Sequence, residues 1–224
     1  MIPARPWDRT SPLTNGLGVS RLCKATLGAP VRCGGGSYLI CSAHVMGETS
    51  NPEGESPSVY TAEGWIACPQ LVLRPTANQP GAGGSIAPSR LDIAFVEVAC
   101  PARATVFGNR VGRAIAAPTT GCELSLLGCL DGCWHICTLV SKRVTDPAYD
   151  DDPEVNSHFG VITLPRRADP WTGDSGSPVW VRIGDACHCA GHLVAVRSDG
   201  QFGVIVLYGA AFETLGIVDC EVVG

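Results

Sequence analysis

The chain has 224 residues, a formal net charge of −5 and 17% charged side chains, with 27 glycines and 17 prolines. That length is enough to bury a real core in one large domain or two small ones, and the acidic balance argues against a broad nucleic-acid-binding face. Abundant Gly and Pro among short apolar runs fit many short strands better than long amphipathic helices, and no run of about 18 apolar residues predicts a membrane span.

Residues 1–19 are rich in Pro, Thr and Asn, without periodicity, and read as an N-terminal extension that lacks the apolar core of a secretory signal. Residues 20–26 read as a first strand, and the triple glycine at 34–36 leads into the β-rich run from Ser37 to Val45, which carries His44 near its end. A solvated loop follows over 47–58, then a pair of short strands between Trp65 and Leu73 and a Gly/Pro/Ala-rich loop over 75–89. Asp92 opens an otherwise apolar strand, Leu91–Val98. Pro101, Gly108, Gly112 and Pro118 mark a connection, after which strands are expected at 122–128, 134–144, 159–164, 178–183, 193–197 and 203–208. Only 210–215 suggests a short helix. The predicted fold is all-β, two six-stranded antiparallel barrels with the site in the cleft between them: an N-terminal barrel over 20–105, a connection over 106–120 and a C-terminal barrel over 121–224.

The chemistry concentrates at Thr172-Gly173-Asp174-Ser175-Gly176-Ser177-Pro178. A serine between glycines suits a nucleophile on a tight turn, with the N–H groups of Gly173 and Ser175 free to converge on a developing oxyanion. Asp174 suits a buried ion pair that holds the turn. Acyl transfer also needs a base and a group that fixes its tautomer. His44, in a Ser-Ala-His context, fits the base. Asp92 fits the orienting acid, since a carboxylate opening an apolar strand is costly unless hydrogen-bonded. Taken singly, His44 reads equally well as a structural histidine and Asp92 as a strand-end acid facing water.

The order His–Asp–Ser, with SAH, LDIAFV and GDSGSP, resembles the trypsin/chymotrypsin-type serine endopeptidases over about residues 20–215. The resemblance implies His44 as general base, Asp92 as orienter, Ser175 as nucleophile, and Gly173 with Ser175 as oxyanion donors. Two departures stand out. Cys33 matches the first cysteine of a bridge that secreted animal members close just after the catalytic His, but Val45 occupies the second position; and no Ile-Val-Gly-Gly terminus is evident. These departures, with GDSGSPV, Ala43-His44-Val45, Leu164-Pro165-Arg166 and Ala190-Gly191-His192, are similar to the polyprotein-processing proteases of positive-strand RNA viruses, the arterivirus main protease and the hepacivirus serine protease. A polypeptide substrate, a viral polyprotein, is therefore expected, with a peptide cofactor as one option and the host-cell cytoplasm, at membranes through a partner or flanking region, as the location. A secreted or bacterial trypsin-like protease is the alternative, and a self-cleaving protease-fold domain with a structural role is another.

For specificity the resemblance places pocket walls at Asp169, Trp171, Thr172, Arg197 and Gly200, and pairs substrate backbone along Ser198-Asp199-Gly200. Arg197 then favours an acidic side chain before the scissile bond, Asp169 favours a basic one, or the two neutralise each other; each also reads as a surface charge. Catalysis requires no cofactor. Of the twelve cysteines, Cys122, Cys187 and Cys189, with His192, form a chemically sensible tetrahedral zinc set near where viral relatives keep zinc ligands. A disulfide from Cys122 and buried free thiols are the other options. For nucleic acid, Lys142-Arg143 and Arg166-Arg167 are the basic pairs available.

Overall fold

Short β-branched and aromatic runs punctuated by glycine become strands through most of the computed structural model, which describes residues 17–19, 25–44, 58–61, 64–67, 71–72, 86, 88–98, 106, 109–128, 133–144, 152–167, 171 and 174–224. The first half contains β1 (Leu17–Val19), β2 (Ala25–Leu27), β3 (Pro30–Cys33), β4 (Gly36–Ser42), β5 (Ser58–Thr61), β6 (Gly64–Ala67), β7 (Leu71–Val72) and β8 (Ile93–Val98). The rest comprises β9 (Arg110–Val111), β10 (Glu123–Leu127), β11 (Trp134–Ser141), α1 (Pro153–Asn156), β12 (Phe159–Thr163), β13 (Pro178–Ile183), β14 (Ala186–Val196), β15 (Phe202–Leu207), α2 (Tyr208–Thr214) and β16 (Cys220–Val222).

The second half closes on itself. Its strands run in the order β13-β10-β11-β12-β15-β14, and a further β13–β14 pairing joins the ends into a six-stranded antiparallel barrel. Period-two alternation sends Leu124, Leu126, Leu139, Ile162, Val179 and Ile205 into one interior cluster. The opposite faces of β13, β14 and β15 are apolar too, carrying Trp180, Cys189, Val194, Val204 and Val206. These side chains join Ile40, Ile93 and Phe95 of the first half in a second cluster, which clamps the two halves together. A tight turn at Gly184, with φ 63°, folds β13 back onto β14.

In the first half, β2-β1-β5-β6 form one sheet and β16-β3-β4-β8-β7 another. The architecture is the predicted all-β, two-lobed one, with three differences at its boundaries. Leu17–Val19, placed in the extension, pairs with β2 and β5. Arg110–Val111, placed in the connection, runs parallel to the start of β14. The C-terminal strand β16 leaves the second half altogether: Cys220, Glu221 and Val222 pair with Cys33, Arg32 and Val31, and a disulfide joins Cys33 to Cys220. Between β11 and β12, α1 forms because Asp152 caps it by accepting from the Glu154 N–H at 2.9 Å and proline occupies its first turn. Among the described residues no helix is long and apolar enough to cross a membrane.

Candidate active site

His44 lies two residues past the end of β4, and Asp92 lies between a 3-10 turn (Pro88–Leu91) and β8; β4 and β8 are antiparallel neighbours, so the two residues face each other at one end of the pair. The Asp92 carboxylate receives the His44 backbone N–H at 2.8 Å and lies 2.9 and 3.0 Å from the ring Nδ1. An ionised carboxylate only accepts, so Nδ1 carries the proton and Nε2 presents its lone pair. The imidazole is half exposed while the carboxylate is nearly buried. Asp92 is the sole non-glycine residue with positive φ, 53°, among the described residues. Asp tolerates that region better than most side chains, at a cost of order 1 kcal/mol or more.

Ser175 stands on a turn built for it. The Ser177 N–H donates to the Asp174 carbonyl at 2.9 Å, leaving Ser175 and Gly176 as the two central residues, and Gly176 has φ 92°. That is the geometry in which the second central position requires glycine. A Cβ at Gly176 would also overlap the Thr26 carbonyl oxygen. The turn is tied on both sides: Thr26 N–H donates to the Ser175 carbonyl at 2.8 Å, and Gly176 N–H to Leu193 at 2.7 Å. Ser42, two residues before His44, also reaches Leu193 O with its hydroxyl, at 3.4 Å. Strand β14 is thus the seam along which the histidine-bearing strand and the Ser175 turn meet. The Ser175 hydroxyl itself donates to the Val194 carbonyl at 3.2 Å.

Sequence reasoning asked for an ion pair at Asp174 without naming the partner. It is Arg167, whose guanidinium donates to the Asp174 carboxylate and lies 3.9 Å over the Trp171 ring; the pair is 7% and 0% exposed. His135 meets the same indole edge-on at 4.9 Å. The signal in the sequence is a cation a few residues before an acid that must be buried, within the basic pair Arg166-Arg167. Burial removes Arg167 from any basic surface.

The remaining predicted residues divide. Trp171 is buried beside the Ser175 turn, whereas Asp169, Thr172 and Gly173 lie outside the described residues. Arg197 is exposed at the end of β14. Ser198, Asp199 and Gly200 form a tight turn rather than an extended edge: Gly200 N–H donates to Arg197 O at 2.8 Å, and Asp199 accepts from Gln201 N–H at 2.9 Å. The extended residues leading away from Ser175 are Val194–Val196.

The four zinc candidates do not converge, and among the described residues no group of three or more His, Cys, Asp or Glu is arranged to hold a metal. Cys122 packs against the barrel-interior cluster, Cys187 and Cys189 against the interlobe one. His192 has both ring nitrogens engaged, Nδ1 with the Tyr208 hydroxyl at 2.8 Å and Nε2 with the Asp92 carbonyl at 3.1 Å. These residues therefore do not fit a tetrahedral site. Burial pushes the Cys189 and Cys41 thiols up to about 12, so both are protonated. Cys33, whose counterpart position in the histidine loop is held by Val45, bonds Cys220.

Burial also pushes His192 down to about 4 from 6.5, with Asp92 opposing the shift. The unfolded chain therefore takes up a proton between about pH 6.5 and 4 that the folded protein refuses. Stability is whole above about pH 6.5 and falls as pH drops toward 4, by on the order of 3 kcal/mol. Urea unfolding of the wild type is expected to show this loss, and His192→Gln to flatten the slope over the same window; parallel slopes would contradict it.

No family model matches the chain by sequence, and no curated protein does. Solved structures do match in shape. Thermobifida fusca Protease A is 17% identical, with 94% of this chain and 98% of that one covered and a TM-score of 0.53. Nocardiopsis Protease is 12% identical over 95% and 99%, TM-score 0.56. A glutamic-acid-specific serine protease is 15% identical over 94% and 100%, TM-score 0.58. The fold is thus the chymotrypsin-like, two-barrel one.

Proposed function

We propose that this chain is a serine endopeptidase that hydrolyses peptide bonds through an acyl-enzyme. The observation that carries the reading is the Asp92–His44 pair, with Nδ1 held at 2.9 Å, across the β14 seam from a serine on a glycine-dependent turn. In the reaction the Ser175 hydroxyl turns from the Val194 carbonyl to His44 Nε2, gives up its proton there and attacks the substrate carbonyl carbon. The imidazolium so formed is stabilised by Asp92 and returns the proton to the leaving amine. Water then repeats the sequence on the acyl-enzyme, releasing the acid and restoring Ser175. The N–H groups of Gly173 and Ser175 are the proposed oxyanion donors. No metal or cofactor takes part.

The natural substrate is proposed to be a viral polyprotein cut in the host cytoplasm, a reading supported by GDSGSPV, Ala43-His44-Val45, Leu164-Pro165-Arg166 and Ala190-Gly191-His192. Asp174, already paired within the chain by Arg167, needs no ammonium from a newly cut terminus. One observation favours the second reading, an extracellular peptidase of bacterial type: the Cys33–Cys220 disulfide suits an oxidising compartment. Arg197 is proposed to select an acidic residue before the scissile bond. Incubation with a diverse peptide library tests both levels. Turnover in trans with Glu or Asp before the cut, lost in Arg197→Ala, is the expected profile. An unchanged profile removes Arg197 from the pocket, and an absence of any cleavage removes the peptidase reading.

A further inference from the structure

The backbone of Asp92 is held from behind by groups the proposed reaction never touches. Its carbonyl receives two hydrogen bonds, from Ala43 N–H at 3.1 Å and from His192 Nε2 at 3.1 Å. A carbonyl can only accept, so Nε2 must carry the His192 proton and Nδ1 must present a lone pair. The Tyr208 hydroxyl, 2.8 Å away, then donates to Nδ1. Tyr208 is itself immobilised: its ring stacks on Phe212 at 5.1 Å and 10°, and Phe212 packs on Phe95 of β8. Both His192 and Tyr208 are fully buried, so each polar group depends on the other to be satisfied. The chain of donors runs from the start of α2, through β14, to the one described non-glycine residue with left-handed backbone.

We propose that His192 and Tyr208 are positioning residues that pin the main chain of Asp92 in its left-handed conformation, and so aim its carboxylate at His44. The left-handed backbone needs surroundings that over-determine it. The Ala43 contact alone leaves Asp92 hinged on the very strand it must address, whereas His192 fixes it from the opposite lobe. The arrangement also ties the acid to β14, the strand that supports the Ser175 turn through Leu193 and Val194. One strand thereby sets the register of acid and nucleophile together. This inference rests on the reading of His44, Asp92 and Ser175 as a catalytic set.

The test separates positioning from mere stability by reading His44 directly. A displaced Asp92 carboxylate stabilises imidazolium less, so the His44 titration must move to lower pH. In His192→Leu, NMR titration of His44 is expected to fall by about one unit. The acid limb of kcat/KM is expected to move the same way, with kcat down about a hundredfold and KM within about twofold. His192→Gln, whose amide N–H reaches toward the Asp92 carbonyl, is expected to restore most of the rate. Tyr208→Phe is expected to lose about fivefold, the effect of one hydrogen bond. A folded His192→Leu protein with wild-type kcat and an unmoved His44 titration overturns the proposal. Should that variant fail to fold, unchanged values in Tyr208→Phe overturn it instead. If the wild type cleaves no peptide, the peptidase reading fails on its own account, and the His44 titration still decides the positioning role.

Discussion

Replacing Arg167 by methionine is expected to destabilise the protein by about 3–5 kcal/mol, the cost of leaving a buried carboxylate without its cation. Asp174 is fully buried, and its main chain forms the turn that carries Ser175 through the bond from Ser177 N–H. The same guanidinium lies 3.9 Å over the Trp171 ring, so its loss also frees the indole beside the Ser175 turn. Against a total stability of about 5–15 kcal/mol, the variant folds at moderate temperature but melts about 10 °C lower. Activity is expected to fall further than the folded fraction does, because the turn relaxes before the barrel opens. Arg167→Lys should lie between the two, keeping charge but losing the fork and the stacking. The double variant Arg167→Met, Asp174→Leu is expected to be more stable than Arg167→Met alone, since no buried charge is stranded. Thermal unfolding of the four proteins checks the order; a single variant as stable as wild type would show that the pair does not hold the turn.

How much of this the sequence disclosed depends on the range over which each feature is decided. Pro178–Ile183 has the predicted bounds because Val179 and Val181 are buried on one face and Trp180 on the other, an apolar run visible locally. His44 and Asp92 were recognisable because each breaks an apolar run with a group that needs a partner. Strand β14 begins at Ala186, well before the expected 193, because Cys187-His188-Cys189 has no strong strand preference of its own. Its extended form comes from pairing with β13 on one side and, at Ala186 and Cys187, with β9 on the other. That pairing also separates the cysteines from His192, whose ring turns into the interlobe contact. At Ser198–Gly200 the local chemistry of Ser-Asp-Gly, a turn sequence, won over the position assigned by resemblance. The return of β16 to β3 spans 187 residues between its bonded cysteines, and nothing local in either segment announces it. Arg167 as the partner of Asp174, and the left-handed backbone at Asp92, are likewise settled by packing rather than by nearby residues.

Ser175→Ala is the substitution with the largest expected effect on chemistry and among the smallest on structure. The hydroxyl makes one hydrogen bond, to the Val194 carbonyl at 3.2 Å, so its removal should change stability by about 1 kcal/mol or less. The main-chain ties of the turn, to Thr26 and Leu193, are untouched. Hydrolysis, by contrast, loses its nucleophile outright, and kcat is expected to drop about a millionfold, leaving only what binding and the oxyanion donors provide. The Asp92–His44 pair remains in that variant, so any residual base catalysis would be exposed by it. The most direct measurement is covalent capture: exposing the folded wild type to an electrophilic peptidyl phosphonate and locating the adduct by mass spectrometry. The expected result is one stoichiometric adduct on Ser175, slowed by orders of magnitude in His44→Ala and absent in Ser175→Ala. An adduct on another residue, or labelling of Ser175 at the same rate without the imidazole, would contradict the assignment of nucleophile and base.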